Sequence, residues 1–281
     1  MPSQSTSTFP WYDSFWLAAY VEAKAIIQRQ CPQRLVGFEA EMKRLQAPKD
    51  FKVQQVRDVL DDATLDTVKR IISELKQDQL ERHEFMGFGR QVVHDHPAFS
   101  KLQRELTDTM SSLVGEAVEP GYNFLSLYNN LGVCEVHMDA PLAKWTLDIC
   151  IEQSEPWPIQ FSQCVPWPEQ FKQTQGDWHS QIVNDPKLQF ESYTLKVNQG
   201  VVFCGGNQWH YRNRISRSQE SNFCHLLFLH YVPTDCEELL HPGRWHQYFE
   251  IPALSPLTDA RYGFDEWAEN RSSGAAGYSR K

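Results

Sequence analysis

The chain has 281 residues, a net charge of −9 and 41% hydrophobic content, enough apolar material for a sizeable core in one domain. No run of lysines or arginines could neutralise a phosphate backbone, so no nucleic-acid partner is expected. No stretch of about 18 apolar residues occurs and no basic segment precedes an apolar one, so a soluble, cytoplasmic protein without a membrane partner is expected; the seven cysteines are odd in number, scattered and never spaced C-x-x-C, and read as free thiols.

The first 119 residues read as mainly helical support. Trp16 to Gln30 is one predicted helix. A second follows Asp62 as N-cap, with Leu65, Val68, Ile72 and Leu75 at three- and four-residue steps. A third starts near Pro97 and carries Phe99, Leu102, Leu106, Met110 and Leu113 on one face. These stripes are core contacts against a sheet and are assigned no chemistry. The Ser/Thr-rich first eight residues and the tail from Arg271 read as disordered.

After a turn expected at Pro120-Gly121, short segments rich in β-branched and aromatic residues alternate with Asn, Gly and Pro. The predicted strands are Asn123 to Tyr128, Val133 to Asp139, Trp145 to Glu152, Ile159 to Gln163, Glu191 to Val197, Val201 to Cys204 and Phe223 to Val232. Helices followed by many short strands predict an α+β fold: a double-stranded β-helix, the jelly-roll or cupin-like barrel, braced by N-terminal helices. Residues 1–281 are read as one domain, with the barrel at 120–235 and a C-terminal extension at 236–281.

Of ten histidines, His137 alone is followed two residues later by a carboxylate, in Val133-Cys-Glu-Val-His-Met-Asp139. Residues two apart on a strand share a face, so His137 and Asp139 can reach one ion while Val136 and Met138 point away. His210, at the end of the strand-like run from Gly200, is the best third ligand. Two histidines and one carboxylate with open positions opposite them suit non-haem iron(II). The tripeptide alone is a weak signal and reads equally well as a polar pair on an edge strand.

In wider context, Tyr128-Asn-Asn-Leu-Gly-Val-Cys-Glu-Val-His137-Met-Asp139, then Thr146-Leu-Asp-Ile-Cys-Ile151, then Gly-Val-Val-Phe-Cys-Gly-Gly-Asn-Gln-Trp-His210 resembles the iron(II)/2-oxoglutarate-dependent dioxygenases with a prolyl-hydroxylase-like core. The resemblance implies Fe(II), 2-oxoglutarate and O2, with ascorbate a candidate reductant, and His137, Asp139 and His210 as metal ligands and catalytic centre. It implies hydroxylation, desaturation or oxidative cyclisation but names no substrate; a small molecule is expected because the acidic chain has no evident peptide-groove signature. A peptidyl or prolyl hydroxylase, a cupin-like metalloenzyme without 2-oxoglutarate, and a binding barrel are the alternatives, and the oligomeric state is left open.

The family commonly fixes the distal carboxylate of 2-oxoglutarate with an arginine or lysine on the strand after the second histidine. Here that strand, Ser221-Asn-Phe-Cys-His-Leu-Leu-Phe-Leu-His230, carries neither. The charge is expected from Arg212, which shares the face of His210 if the strand continues, then from Arg214; His225 is a further candidate. Tyr128 is expected to offer its hydroxyl to the co-substrate. Their alternatives are a solvated turn for the arginines and an ordinary core tyrosine. Asp148, between Thr146 and Cys150 on one face, would be a carboxylate inside a barrel and needs a cation: a protein arginine, or the amine of an amino-acid-like substrate.

Three other features are set aside. His94-Asp95-His96 lies outside the predicted barrel and reads as surface. Pro156-Trp-Pro and Pro166-Trp-Pro read as turns packed on the core, and Trp178, Trp209 and Trp245 have no assigned place. Gly205-Gly206 reads as a bend before His210.

Overall fold

The computed structural model describes residues 14–82, 84–168, 177–216 and 221–258. The segments expected to be disordered at the two ends lie outside the described residues. In chain order the strands are β1 (Gln54–Val56), β2 (Arg90–His94), β3 (Val118–Tyr128), β4 (Cys134–His137), β5 (Trp145–Gln153), β6 (Ile159–Ser162), β7 (Phe190–Tyr193), β8 (Gly200–Phe203), β9 (His210–Arg212) and β10 (Cys224–Pro233). They form a six-stranded sheet in the order β1-β8-β5-β10-β3-β2 and a four-stranded sheet in the order β4-β9-β6-β7. Every pairing is antiparallel. Mixed helix and antiparallel sheet is thus the observed class, consistent with a cupin-like fold.

Strand parity separates three apolar layers. Tyr128, Cys150, Phe161, Phe203, Leu226 and Phe228 meet between the two sheets. The alternate residues Leu125, Leu147, Ile149, Leu227 and Leu229 point the other way, onto helices α3 (Asp62–Glu74), α5 (Pro97–Glu105) and α6 (Thr107–Val114). On the outer face of the smaller sheet, Val136, Met138 and Tyr211 pack with α1 (Ser14–Gln30), α2 (Leu35–Met42) and the C-terminal residues Trp245 and Leu254. Strand β5 is buried on both faces from Trp145 to Ile151, Thr146 and Asp148 included.

The departures from sequence expectation have local causes. The second predicted helix starts one residue early, because Asp61 is the N-cap: its carboxylate accepts the Thr64 N–H at 2.7 Å. The third predicted helix is two, broken at Leu106. The expected turn at Pro120-Gly121 lies inside β3, opposite a bulge in β10 between Leu229 and Tyr231. A Cβ at Gly121 would sit 3.2 Å from the carbonyl oxygens of both His230 and Leu142, a tight contact that glycine avoids. The run from Gly200 to His210 is not one strand. It leaves the large sheet after Phe203, turns through Cys204–Trp209, and enters the small sheet at β9.

Candidate metal centre

Across β4 and β9, His137 lies directly opposite His210, and their rings are 4.2 Å apart. Asp139 follows the end of β4, its backbone N–H donating to Gly205 O at 2.9 Å. That contact brings the carboxylate between the two imidazoles, with Oδ1 3.4 Å from His137 Nε2 and 3.6 Å from His210 Nε2. One ligand atom from each of the three residues lies within 4.8 Å of the others, and among the described residues no other such group of three occurs.

The two histidines are oriented in the same way. His137 Nδ1 lies 2.7 Å from Glu135 O, and His210 Nδ1 lies 3.0 Å from Gln208 O. A carbonyl can only accept, so each Nδ1 carries hydrogen, which leaves Nε2 as the nitrogen that the neutral ring would offer to a metal. Burial alone would raise the Asp139 carboxyl, but His210 and His137 outweigh it and hold the group well below the usual carboxylate range. Burial would lower His137, yet the Cys134 thiol and the bond to Asp139 push it up to about 10. The cluster therefore draws in positive charge, and two imidazole nitrogens with one carboxylate oxygen suit a divalent first-row metal.

Gly205 completes this end of the site. A Cβ there would fall 2.0 Å from Asp139 Oδ2, so only glycine leaves room for the carboxylate. Sequence reading took the glycine pair for a bend, because nothing local shows what lies against it.

Two residues further along β9, Arg212 points into the same interior, almost completely buried. It donates to Asp148 Oδ2 at 2.6 Å and to Trp157 O at 2.5 Å, and its guanidinium lies over the Trp157 ring. Asp148 therefore meets the protein arginine that was one of its two expected partners, and the hint of a substrate amine loses its premise. Burial raises the Asp148 carboxyl, with Arg212 opposing. Tyr128 is buried beside this pair, edge-on to Trp157 at 4.8 Å. Its hydroxyl accepts from Arg90 Nη1 at 2.7 Å.

Arg90 is a residue that sequence reading missed. It projects inward from β2, reaches Ser126 Oγ at 3.3 Å and pairs through Nε with Glu84 at 2.5 Å. Arg214 lies elsewhere: it is exposed and donates to Leu131 O at 3.0 Å. His225 occupies the opposite parity of β10 from Leu226 and Phe228, and so faces away from the barrel interior.

His94, set aside as surface, ends β2 within the large sheet, with Nδ1 3.0 Å from Glu81 Oε1. His96 caps α5 by accepting the Ala98 N–H at 3.3 Å. Trp157 and Trp167 are buried and bond backbone carbonyls, as packed proline-flanked rings should. Trp209 and Trp245 belong to the outer core, and Trp178 packs against it. All seven cysteines are free thiols. Among the described residues no helix is long and apolar enough to cross a membrane.

No family model matches the chain, and no curated protein matches it. Solved structures similar in chain path include HygX from Streptomyces hygroscopicus with nickel and 2-oxoglutarate bound, at 9% identity over 65% of this chain and 83% of that one, TM-score 0.48. They include the non-haem α-ketoglutarate-dependent epimerase SnoN from nogalamycin biosynthesis, at 13% identity over 73% and 89%, TM-score 0.48. AviO1 from Streptomyces viridochromogenes follows at 18% identity over 70% and 95%, TM-score 0.45. At these identities and scores none of them lends this chain a function.

Proposed function

We propose that the protein is a non-haem iron(II), 2-oxoglutarate-dependent oxygenase of a small molecule, built on a double-stranded β-helix. The observation that carries this reading is the convergence of His137 Nε2, His210 Nε2 and Asp139 Oδ1 within 4.8 Å, with both Nδ1 atoms tied to backbone carbonyls. When bound, iron(II) with 2-oxoglutarate and O2 supplies an oxidant able to take hydrogen from an unactivated C–H bond. The chain's own part is to hold the three donors rigid, to receive the co-substrate and to keep water out.

Arg212, Arg90 and the Tyr128 hydroxyl form the only inward basic group among the described residues that adjoins the triad, through Cys134, whose Sγ is 3.8 Å from His137 Nδ1. They are the donors we assign to the distal carboxylate, with Arg212 first and Arg214 too far out on the surface to share the work. The test is anaerobic titration with Fe(II) and then 2-oxoglutarate, followed by succinate release in air with ascorbate present. Stoichiometric iron, a weak visible band on adding 2-oxoglutarate and release of succinate are expected. Iron binding without either later signal would favour a cupin-like metalloenzyme, a second reading that the existing Arg212–Asp148 pair supports.

A further inference from the structure

The large sheet presents a row of nearly parallel rings to the interior. Tyr122 and Phe124 come from β3, and Phe228 and His230 from β10. Tyr122 stacks on His230 at 4.2 Å and 24°, Phe124 on Phe228 at 4.7 Å and 21°, and Phe228 and His230 are within 9° of parallel. Tyr122 and Phe124 are partly exposed while His230 is 2% exposed, so the wall runs from an accessible edge to a closed end.

His230 is fixed on one side only. Its Nδ1 lies 2.9 Å from Thr146 Oγ1, while Nε2 is buried with no hydrogen-bond partner among the described residues. Leaving a buried polar atom unpaired costs about 1–3 kcal/mol, and native structures keep few such atoms. Burial pushes the ring's pKa down to about 3, so it presents a neutral nitrogen rather than a charge.

The wall faces the metal centre. Thr146 is the register neighbour of both His230 and Phe203, and the Phe203 ring is 5.0 Å from that of His210. Asp139 and His210 both act electrostatically on His230.

We infer that Tyr122, Phe124, Phe228 and His230 form the substrate subsite: a flat, ring-bearing small molecule lies along the three aromatic side chains, and a hydroxyl on it pairs with His230 Nε2. A hydroxyl both donates and accepts, so it satisfies Nε2 whichever way the hydrogen sits between Thr146 and Nδ1. Rings stacked on one another turn their edges rather than their faces to the interior, and an aromatic guest lying across those edges makes the edge-to-face contact that ring pairs favour. This inference rests on the metal reading only for the direction in which the substrate's C–H bonds are presented.

The test uses the full chain with naphthol and naphthalene as probes and Mn(II) as a paramagnetic stand-in for iron. Naphthol should bind at least about tenfold tighter than naphthalene, about 1.4 kcal/mol, although naphthalene is the more hydrophobic probe. His230→Phe should remove that preference and retain naphthalene binding, because the ring stack survives. Mn(II) should broaden the naphthol proton resonances, and should fail to do so in His210→Ala. Equal binding of the two probes, no binding of either, or a preference that survives His230→Phe overturns the subsite. Tight naphthol binding without broadening, where Mn(II) is shown to be bound, overturns its placement opposite the metal. Failure of Mn(II) to bind at all sinks the metal reading instead, and the naphthol preference still decides the subsite.

Discussion

His210 and Arg212 stand two residues apart on β9 and face the same interior, yet their surroundings are built in opposite ways. At His210 three potential ligand atoms lie within 4.8 Å of one another, and His210 and His137 together hold the Asp139 carboxyl well below the usual carboxylate range. At Arg212 the charge is already matched, by Asp148 at 2.6 Å. On the reading proposed above, one end of the strand gathers donor atoms that suit an external cation, while the other is organised around the cation of Arg212. On that same reading, 2-oxoglutarate would put its keto acid at the first end and its distal carboxylate beside the second, where Arg212 would have to share its charge with Asp148.

The largest effect is expected from breaking the first end. His210→Ala removes one of three donors, and iron content after loading should fall from about one per chain to near zero, as read by elemental analysis. Gly205→Ala leaves all three donors in the sequence but sets a Cβ 2.0 Å from Asp139 Oδ2. Displacing the carboxylate should weaken metal binding on the order of 100-fold, the loss typical when a ligand's support is removed. Unchanged iron content in both variants would show that the triad is not the metal site.

Breaking the second end should instead unfold the protein. Arg212→Leu leaves Asp148 ionisable, fully buried and unpaired, a change that costs about 3–5 kcal/mol. Adding Asp148→Leu should recover most of that stability in urea titrations, because two apolar side chains replace a pair whose desolvation was already expensive. The double variant should still bind iron while its KM for 2-oxoglutarate rises. A KM that does not move would leave Arg90 as the anchor.

Much of the β region was legible because its signal is local. Alternation within Val133–Asp139 placed Val136 and Met138 on the face opposite His137, and they do pack on the outer core. The alternation of Thr146, Asp148 and Cys150 likewise put these three on one face of β5, where all three are buried. What could not be read depends on partners distant in the chain. Strands β1 and β2 are edge strands of three and five residues with polar members, too short for any periodicity to show. Arg90 and Tyr128 are 38 positions apart in sequence and bonded in the structure. The break between β8 and β9 is marked by Gly205-Gly206, but the change of sheet that it serves depends on strand partners distant in sequence.

A smaller effect separates His230 from the metal ligands by pH. Its folded pKa is lowered to about 3 against about 6.5 unfolded. Between these values the unfolded chain takes up a proton that the folded one refuses, so stability falls as pH drops below about 6.5. The slope is at most about 1.4 kcal/mol per pH unit, to which His225 and His96, also lowered by burial, add their own. Urea unfolding at pH 5 and pH 7 should show a narrower gap in His230→Phe than in the wild type. An unchanged gap would mean that His230 titrates normally and that its environment is wetter than the stacked rings imply.

The smallest effect tests where the anionic end of the site stops. Arg214 is on the same run as Arg212 but lies beyond the end of β9, exposed, with its guanidinium donating to the Leu131 carbonyl. An exposed side chain with one backbone bond should change stability by no more than about 0.5 kcal/mol on truncation to alanine. Its charge is screened, so the KM for 2-oxoglutarate should stay within about twofold in succinate-release assays. A tenfold rise on Arg214→Ala, with Arg212→Lys tolerated, would move the co-substrate's distal carboxylate out to the rim. Arg212 and Asp148 would then be a structural pair alone, and the contrast between the two ends of β9 would be one of stability against function rather than of two halves of one binding site.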